Sequence, residues 1–120
     1  MERENKRKIG SYYEEKAADW LVAQGYRILE RNFRCGQGEI DLIAARGNEL
    51  VFVEVKFRTD HGYGFSQEAV DVRKQRRIRR VAEYYVMLHP QAERMDCRYD
   101  VAAFEADGEL RYFPGAFGGM

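Results

Sequence analysis

Cysteine and histidine are scarce in this chain, which holds two of each: Cys35, Cys97, His61 and His89. The cysteines lie far apart, with no Cys-x-x-Cys spacing, so neither a disulfide framework nor a zinc site is indicated. Two reduced, incidental thiols are expected. Long apolar runs are also missing. The apolar stretches are of strand length, which excludes a transmembrane helix, and the opening residues MERENKRK lack the apolar stretch of a secretory signal. A cytoplasmic protein with no membrane association is the simplest expectation. Nor is there an excess of charge of one sign, because 20 Lys and Arg balance 20 Asp and Glu. A protein held to nucleic acid by bulk charge is therefore not expected, although the charge is unevenly spread. No internal repeat or low-complexity stretch is present.

What is present suits one domain spanning residues 1–120. The chain is 45% hydrophobic, enough for a real core at this length. Tyr13, Ala17, Leu21, Ala18 and Val22 recur at helical spacing, which predicts a helix over 10–24, with a capping box at Ser11 and Glu14 and a stop at Gly25. Residues 26–31 read as a strand, followed by a connection over 32–37. Two runs, GEIDLIAA (38–45) and LVFVEVKF (50–57), flank the turn signal Arg46-Gly47-Asn48-Glu49 and read as a β-hairpin. A Gly and aromatic loop over 59–65 leads to a long helix over 67–88, with Val70, Ile78, Val81, Ala82 and Tyr85 as its buried stripe and Pro90 at its end. Strands over 98–104 and 110–113 follow. The ends, 1–8 and 114–120, are expected to be flexible. The order α-β-β-β-α-β-β indicates an α/β fold, a mixed sheet flanked by helices, with the hairpin near its centre.

The hairpin carries the chemistry. With Gly47 and Asn48 in a two-residue turn, Arg46 faces Glu49, Asp41 faces Glu54 and Glu39 faces Lys56. Alternation along the strand puts Glu54 and Lys56 on one face and Val51, Val53, Val55 and Phe57 on the other. Opposed carboxylates about 5 Å apart at Cβ repel, so the Asp41/Glu54 pair costs stability unless a cation or a proton neutralises it. Oxygen ligands of this kind, completed by water and substrate phosphate, suit Mg²⁺ or Mn²⁺ better than zinc. Lys56 can then orient an attacking water or stabilise charge on a phosphate. The alternative is a solvent-exposed charged face on which Lys56 pairs with Glu39.

Two further features adjoin this grouping. Glu14 and Glu15 both lie beside the apolar stripe of the first helix, and helical spacing does not choose between them. On the second helix, Arg73, Lys74, Arg76, Arg77, Arg79 and Arg80 form the densest basic run. Arg73, Lys74, Arg77 and Arg80 can form one phosphate-holding stripe, joined by Arg58 at the end of the hairpin. Tyr63 and Phe65 in the glycine loop are expected to anchor that loop, with base stacking as the functional alternative, and His61 to lie on the surface. Trp20, Tyr84 and Tyr85 read as core.

GEIDLIA (38–44), VFVEVKFR (51–58), Glu15-Lys16-Ala17-Ala18, Glu68-Ala69-Val70 with Lys74, and CRYDVAAF (97–104) together resemble the YraN-like family of small bacterial proteins. That family is assigned to the PD-(D/E)xK nuclease superfamily and is related to archaeal Holliday-junction resolvases. The resemblance covers most of the chain. It implies a restriction-endonuclease-like fold in which Asp41 and Glu54 hold metal, Lys56 is the motif lysine, and a helix-borne glutamate, aligned as Glu15, completes the ligand set. Two departures stand out: Ile40 replaces the proline before Asp41, and Glu14-Glu15 replaces a Gly-Glu pair.

The reading is a metal-dependent nuclease that hydrolyses phosphodiester bonds in structured or branched DNA rather than RNA. Glu39 is a secondary member of the acidic face, and the resolvase likeness implies a homodimer. The competing class is a noncatalytic nucleic-acid-binding or protein-interaction module on the same scaffold.

Overall fold

Residues 42–45 and 50–53 are apolar without interruption, and every one of them is buried. Strands of that kind must be covered on both faces. The computed structural model describes residues 2–57 and 70–118, with side chains from residue 11 onward. Within them the elements are α1 (Glu2–Ala23), β1 (Arg27–Cys35), β2 (Gly38–Arg46), β3 (Glu49–Phe57), α2 (Val72–Leu88), a 3-10 turn (Pro90–Arg94), β4 (Asp96–Phe104) and β5 (Leu110–Phe117). The five strands form one sheet in the order β1-β2-β3-β4-β5. All neighbours are antiparallel except β3 and β4, whose parallel pairing requires a crossover, and α2 lies on it.

The sheet is sandwiched. On one side Ala17, Ala18 and Leu21 of α1 pack against Leu42, Ala44, Val51 and Val53. On the other, Ile78, Val81, Ala82 and Tyr85 of α2 pack against Ile43, Leu50, Phe52 and Tyr99. Val51 and Val53 therefore face away from Glu54, as alternation requires, with Val55 and Phe57 packed against the same α1-side core. The face that carries Glu54 is no open charged surface, because α2 covers it. Trp20 stacks on Tyr112 at 4.3 Å, whereas Tyr84 and Val22, both expected inside, are exposed.

Several boundaries differ from the sequence expectation. Helix α1 starts at Glu2, so Ser11 and Glu14 lie in its interior and form no capping box. Its end does match: Tyr26 N–H donates to Leu21 O (3.0 Å) and Gly25 N–H to Val22 O (2.9 Å), with Gly25 at φ 95°, a Schellman cap. Strand β1 continues past Arg31 to Cys35, because Phe33, Arg34 and Cys35 find partners in Ile40, Glu39 and Gly38. Helix α2 starts at Val72, where the Asp71 carboxylate caps it by accepting the Lys74 N–H at 2.8 Å. Val70 is buried but precedes the helix. The segment 114–117, expected to be loose, completes β5: Gly115 at φ 59° accommodates a register shift, and Phe117 stacks on Tyr99 at 5.1 Å. Pro114 is tolerated because β5 is an edge strand. Among the described residues no helix is long and apolar enough to cross a membrane.

Asp100, only 1% exposed, holds β5 in place. Its carboxylate accepts from Arg98 Nε (2.8 Å), the Tyr112 hydroxyl (2.6 Å) and Gly115 N–H (2.9 Å). Arg98 in turn donates to Glu49 (2.8 Å) and to the Tyr26 hydroxyl (2.9 Å). Asp100→Ala should lower the unfolding free energy by about 3 kcal/mol, because it strands these donors in the interior, whereas Tyr112→Phe should cost about 1 kcal/mol. Urea titration followed by circular dichroism measures both. Equal losses for the two variants would show that the carboxylate is not the hub.

Candidate active site

The turn at Gly47 and Asn48 has a positive φ only at Gly47 (57°), the pattern of a II′ hairpin. It sets the β2–β3 register from Arg46↔Glu49 to Leu42↔Val53. One step beyond, regular backbone pairing gives way to a side-chain bond: Asp41 Oδ2 accepts the Val55 N–H at 2.8 Å. Asp41 is thereby held beside Glu54, close enough for each carboxyl group to act on the other's charge. The expected Asp41/Glu54 meeting is present. The expected Glu39/Lys56 pairing is not, because the β2–β3 ladder ends at Leu42↔Val53, and the Glu39 side chain makes a 3.4 Å ion pair with Arg34 of β1.

Burial dominates the electrostatics. It raises Asp41, with the Glu54 charge adding to it and the Val55 N–H opposing, so that Asp41 is pushed up to about 8. Near neutral pH this group therefore keeps a proton. Glu54 is 7% exposed and forms an ion pair with Lys74 of α2. Burial alone would lower Lys74, but the hydrogen bond and charge of Glu54, with Asp41 behind it, hold it above the ordinary lysine value. Lys56 moves the other way, depressed by burial and by the neighbouring Lys74 ammonium. Two acids and two amines thus meet at the junction of β2, β3 and the first turn of α2.

The helix-borne carboxylate is corrected. Glu15 is exposed and forms a 2.6 Å ion pair with Arg31. Glu14 instead turns inward: burial raises its pKa, and the Glu39 and Glu54 charges raise it further, against a lowering hydrogen bond from Asn32. The physical reason is rotation about the helix axis. Glu14 shares its side with buried Ala17, Ala18 and Leu21, whereas the flank that Glu15 shares with Val22 faces solvent. Asn32 was missed by sequence reasoning. With its amide nitrogen facing them, it donates to Glu14 Oε1 (3.2 Å) and Glu39 Oε2 (3.1 Å), joining α1 to β2. Its φ of 53° is the signal of a special position, and an asparagine within a strand-like run was the only trace of it in the sequence.

An open cavity of about 310 Å³ is lined by Glu39, Asp41, Glu54, Lys74 and Arg77. Gly38 is required by its backbone, at φ 144°, rather than by space, since a Cβ there would make ordinary contact with the Arg77 stem at 3.4 Å. Arg73, Arg76 and Arg80 are exposed on α2. Arg79 is engaged elsewhere, donating through Nε to Gly118 O at 3.0 Å and lying over the Phe117 ring. Arg58, His61, Tyr63, Phe65, Glu68 and Ala69 lie outside the described residues.

The donor set fits a hard divalent cation. The acidic side chains that line the cavity among the described residues offer carboxylate oxygens, the donors that such a cation prefers. Among the described residues no group of three or more His, Cys, Asp or Glu side chains is gathered so that it could hold a metal ion. Asp41 and Glu54 would be the direct protein ligands, and Glu14 stands behind them.

An acid whose pKa is higher in the folded than in the unfolded state binds extra protons on folding, so its contribution to stability falls as pH rises between the two values. For Asp41 that window runs from 3.8 to about 8. Asp41→Asn should therefore melt several degrees above the unaltered protein at pH 8, with the gap closing towards pH 4. Thermal melts across pH test this, and a gap that does not vary with pH would remove the electrostatic account.

A sequence model of the uncharacterised protein family UPF0102 matches residues 13–104. A UPF0102 protein of Lachnoclostridium phytofermentans is 45% identical over 94% of this chain and 95% of its own length. One of Caldicellulosiruptor saccharolyticus is 50% identical over 81% of each chain. Among solved structures, the Archaeoglobus fulgidus Hjc, a Holliday junction resolvase, superposes with a TM-score of 0.52 at 17% identity, covering 87% of this chain and 75% of that one. That likeness establishes the fold, the restriction-endonuclease-like mixed sheet with order α-β-β-β-α-β-β. The family match spans α1 through β4 and includes every carboxylate and amine of the site, so the chain belongs to the uncharacterised protein family UPF0102.

Proposed function

We propose that this protein is a metal-dependent nuclease that hydrolyses phosphodiester bonds in structured or branched DNA, with Mg²⁺ or Mn²⁺ as cofactor. One observation carries the reading: the Asp41/Glu54 pair lies in an open cavity together with Lys74, with Lys56 beside them. Paired carboxylates with no cation are destabilising, and their retention beside two lysines suits a site that acts on a phosphate. The fold shared with a protein named as a Holliday junction resolvase supports DNA, and branched DNA in particular, as substrate.

A divalent ion bound at such carboxylates polarises the phosphate and lowers the pKa of a bound water. The chain's own residues do the rest. Asp41 and Glu54 would hold the ion, and Glu14, half-withdrawn from solvent, would accept hydrogen bonds from water beside them. Lys56 is held as an amine with a depressed pKa, which suits a group that positions a water and manages its proton. At about 100° per residue, Arg77, Arg73, Arg80 and Arg76 sweep an arc of about 100° on α2 that begins next to Lys74. That arc offers a path for the phosphate backbone leading from the cavity.

Labelled four-way junction, flap, single-stranded and linear duplex DNA should be incubated with the protein in Mg²⁺, Mn²⁺ or EDTA. Cleavage should require the metal and fall by at least about 10²-fold in Asp41→Ala. Glu14→Gln should impair it far more than Glu15→Gln. Arg73→Ala with Arg80→Ala should instead weaken DNA binding and flatten its salt dependence by roughly two phosphate contacts. Binding without cutting in every metal would leave a noncatalytic DNA-binding module on the same fold.

A further inference from the structure

Lys74 was expected on the phosphate-binding stripe, yet its ammonium is engaged inside the site, on Glu54. Its backbone is fixed, because the Asp71 carboxylate caps α2 through the Lys74 N–H. Its side chain reaches from solvent into the interior: 40% of it is exposed, against 8% for the Glu54 side chain it meets. Arg77, one turn further along α2, borders the same cavity and is exposed. A short movement therefore separates two environments for the Lys74 ammonium, a buried acid and a solvent-facing basic arc.

We propose that Lys74 is a resident counter-ion of this site: it occupies the Glu54 carboxylate in the metal-free protein and transfers to a substrate phosphate when a divalent cation takes that carboxylate. The inference rests on the nuclease reading above and deepens it. Charge counting shows why the transfer is downhill. In the metal-free site the proton on Asp41 and the ammonium of Lys74 balance the Asp41/Glu54 pair. A dication bound to both carboxylates displaces that proton and leaves one positive charge in excess, so the Lys74 ammonium on Glu54 becomes surplus. One phosphodiester charge restores the balance. Metal and substrate are thereby coupled, since the ion releases the lysine that binds the phosphate and the phosphate keeps that lysine off the metal's ligand.

The test reads metal and DNA binding rather than cleavage. Mn²⁺ affinity is measured by electron paramagnetic resonance for the unaltered protein, Lys74→Met, Lys74→Gln and Asp41→Asn. Binding of labelled four-way-junction DNA is measured by fluorescence anisotropy in EDTA and in Ca²⁺. Near-UV circular dichroism establishes folding of each variant. Removing the competing ammonium should tighten Mn²⁺ by about fivefold in both Lys74 variants. The same variants should bind the junction as well as the unaltered protein in EDTA, but about fivefold more weakly in Ca²⁺. Unchanged or weaker Mn²⁺ binding by folded Lys74→Met and Lys74→Gln, with binding still lost in Asp41→Asn, overturns the counter-ion role and leaves the metal site standing. Equal weakening in EDTA and Ca²⁺ also overturns it, because Lys74 would then be a plain phosphate contact. Mn²⁺ binding that Asp41→Asn does not impair overturns both readings together.

Discussion

The register of one β-hairpin governs this molecule. Gly47 adopts the positive φ that a tight turn demands, and counting back from it brings Asp41 and Glu54 to the same level of the sheet. Because side chains alternate with a period of two, a slip of one residue would send Glu54 into the α1-side core and bring Val53 to the cavity. Registry is secured further by burial, since residues 42–45 and 50–53 are enclosed on both sides. The meeting of two carboxyl groups is thus imposed by the most stable part of the fold, and the rest of the site answers to that imposition. A proton on Asp41 and the ammonium of Lys74 are its present compensation.

The helices divide the remaining work. Helix α1 brings a half-buried carboxylate, Glu14, to the acidic end of the hairpin, and Asn32 ties it to Glu39. Helix α2 arrives by the crossover between parallel strands β3 and β4, so its capped first turn lands beside Glu54. Its apolar stripe closes the sheet, while its outer arc stays basic. A chain with no net charge can in this way present a local positive track next to a local acidic pocket.

Charged residues elsewhere serve the scaffold. Arg98 and Asp100 lie in a segment, CRYDVAAF, that helped to reveal the family, but their bonds go to Glu49, Tyr26, Tyr112 and Gly115. This network ties the start of β3 and of β1 to β4 and the β5 bulge. A buried carboxylate with this many donors is costly to replace. The role of these residues is to keep the fifth strand on the sheet.

Asp41, Glu54 and Lys56 were legible in the sequence, because a turn signal and a period of two are local properties that need no knowledge of the rest of the chain. The order of helices and strands was legible for the same reason, as was the basic run of α2. The choice of Glu14 over Glu15 was not. Adjacent helix positions differ by about 100°, and which of them turns inward depends on how α1 lies across the sheet. The strand beyond Arg31, the strand beyond Pro114 and the engagement of Lys74 with Glu54 were also decided by tertiary contacts: β2 supplies partners for the first, the buried Asp100 anchors the second, and the α2 crossover brings about the third. Sequence by itself determined which charged groups share the hairpin and which face of each strand they take. Only the folded molecule determined which distant groups come within reach of them, because such contacts are set by packing between elements rather than by spacing along the chain.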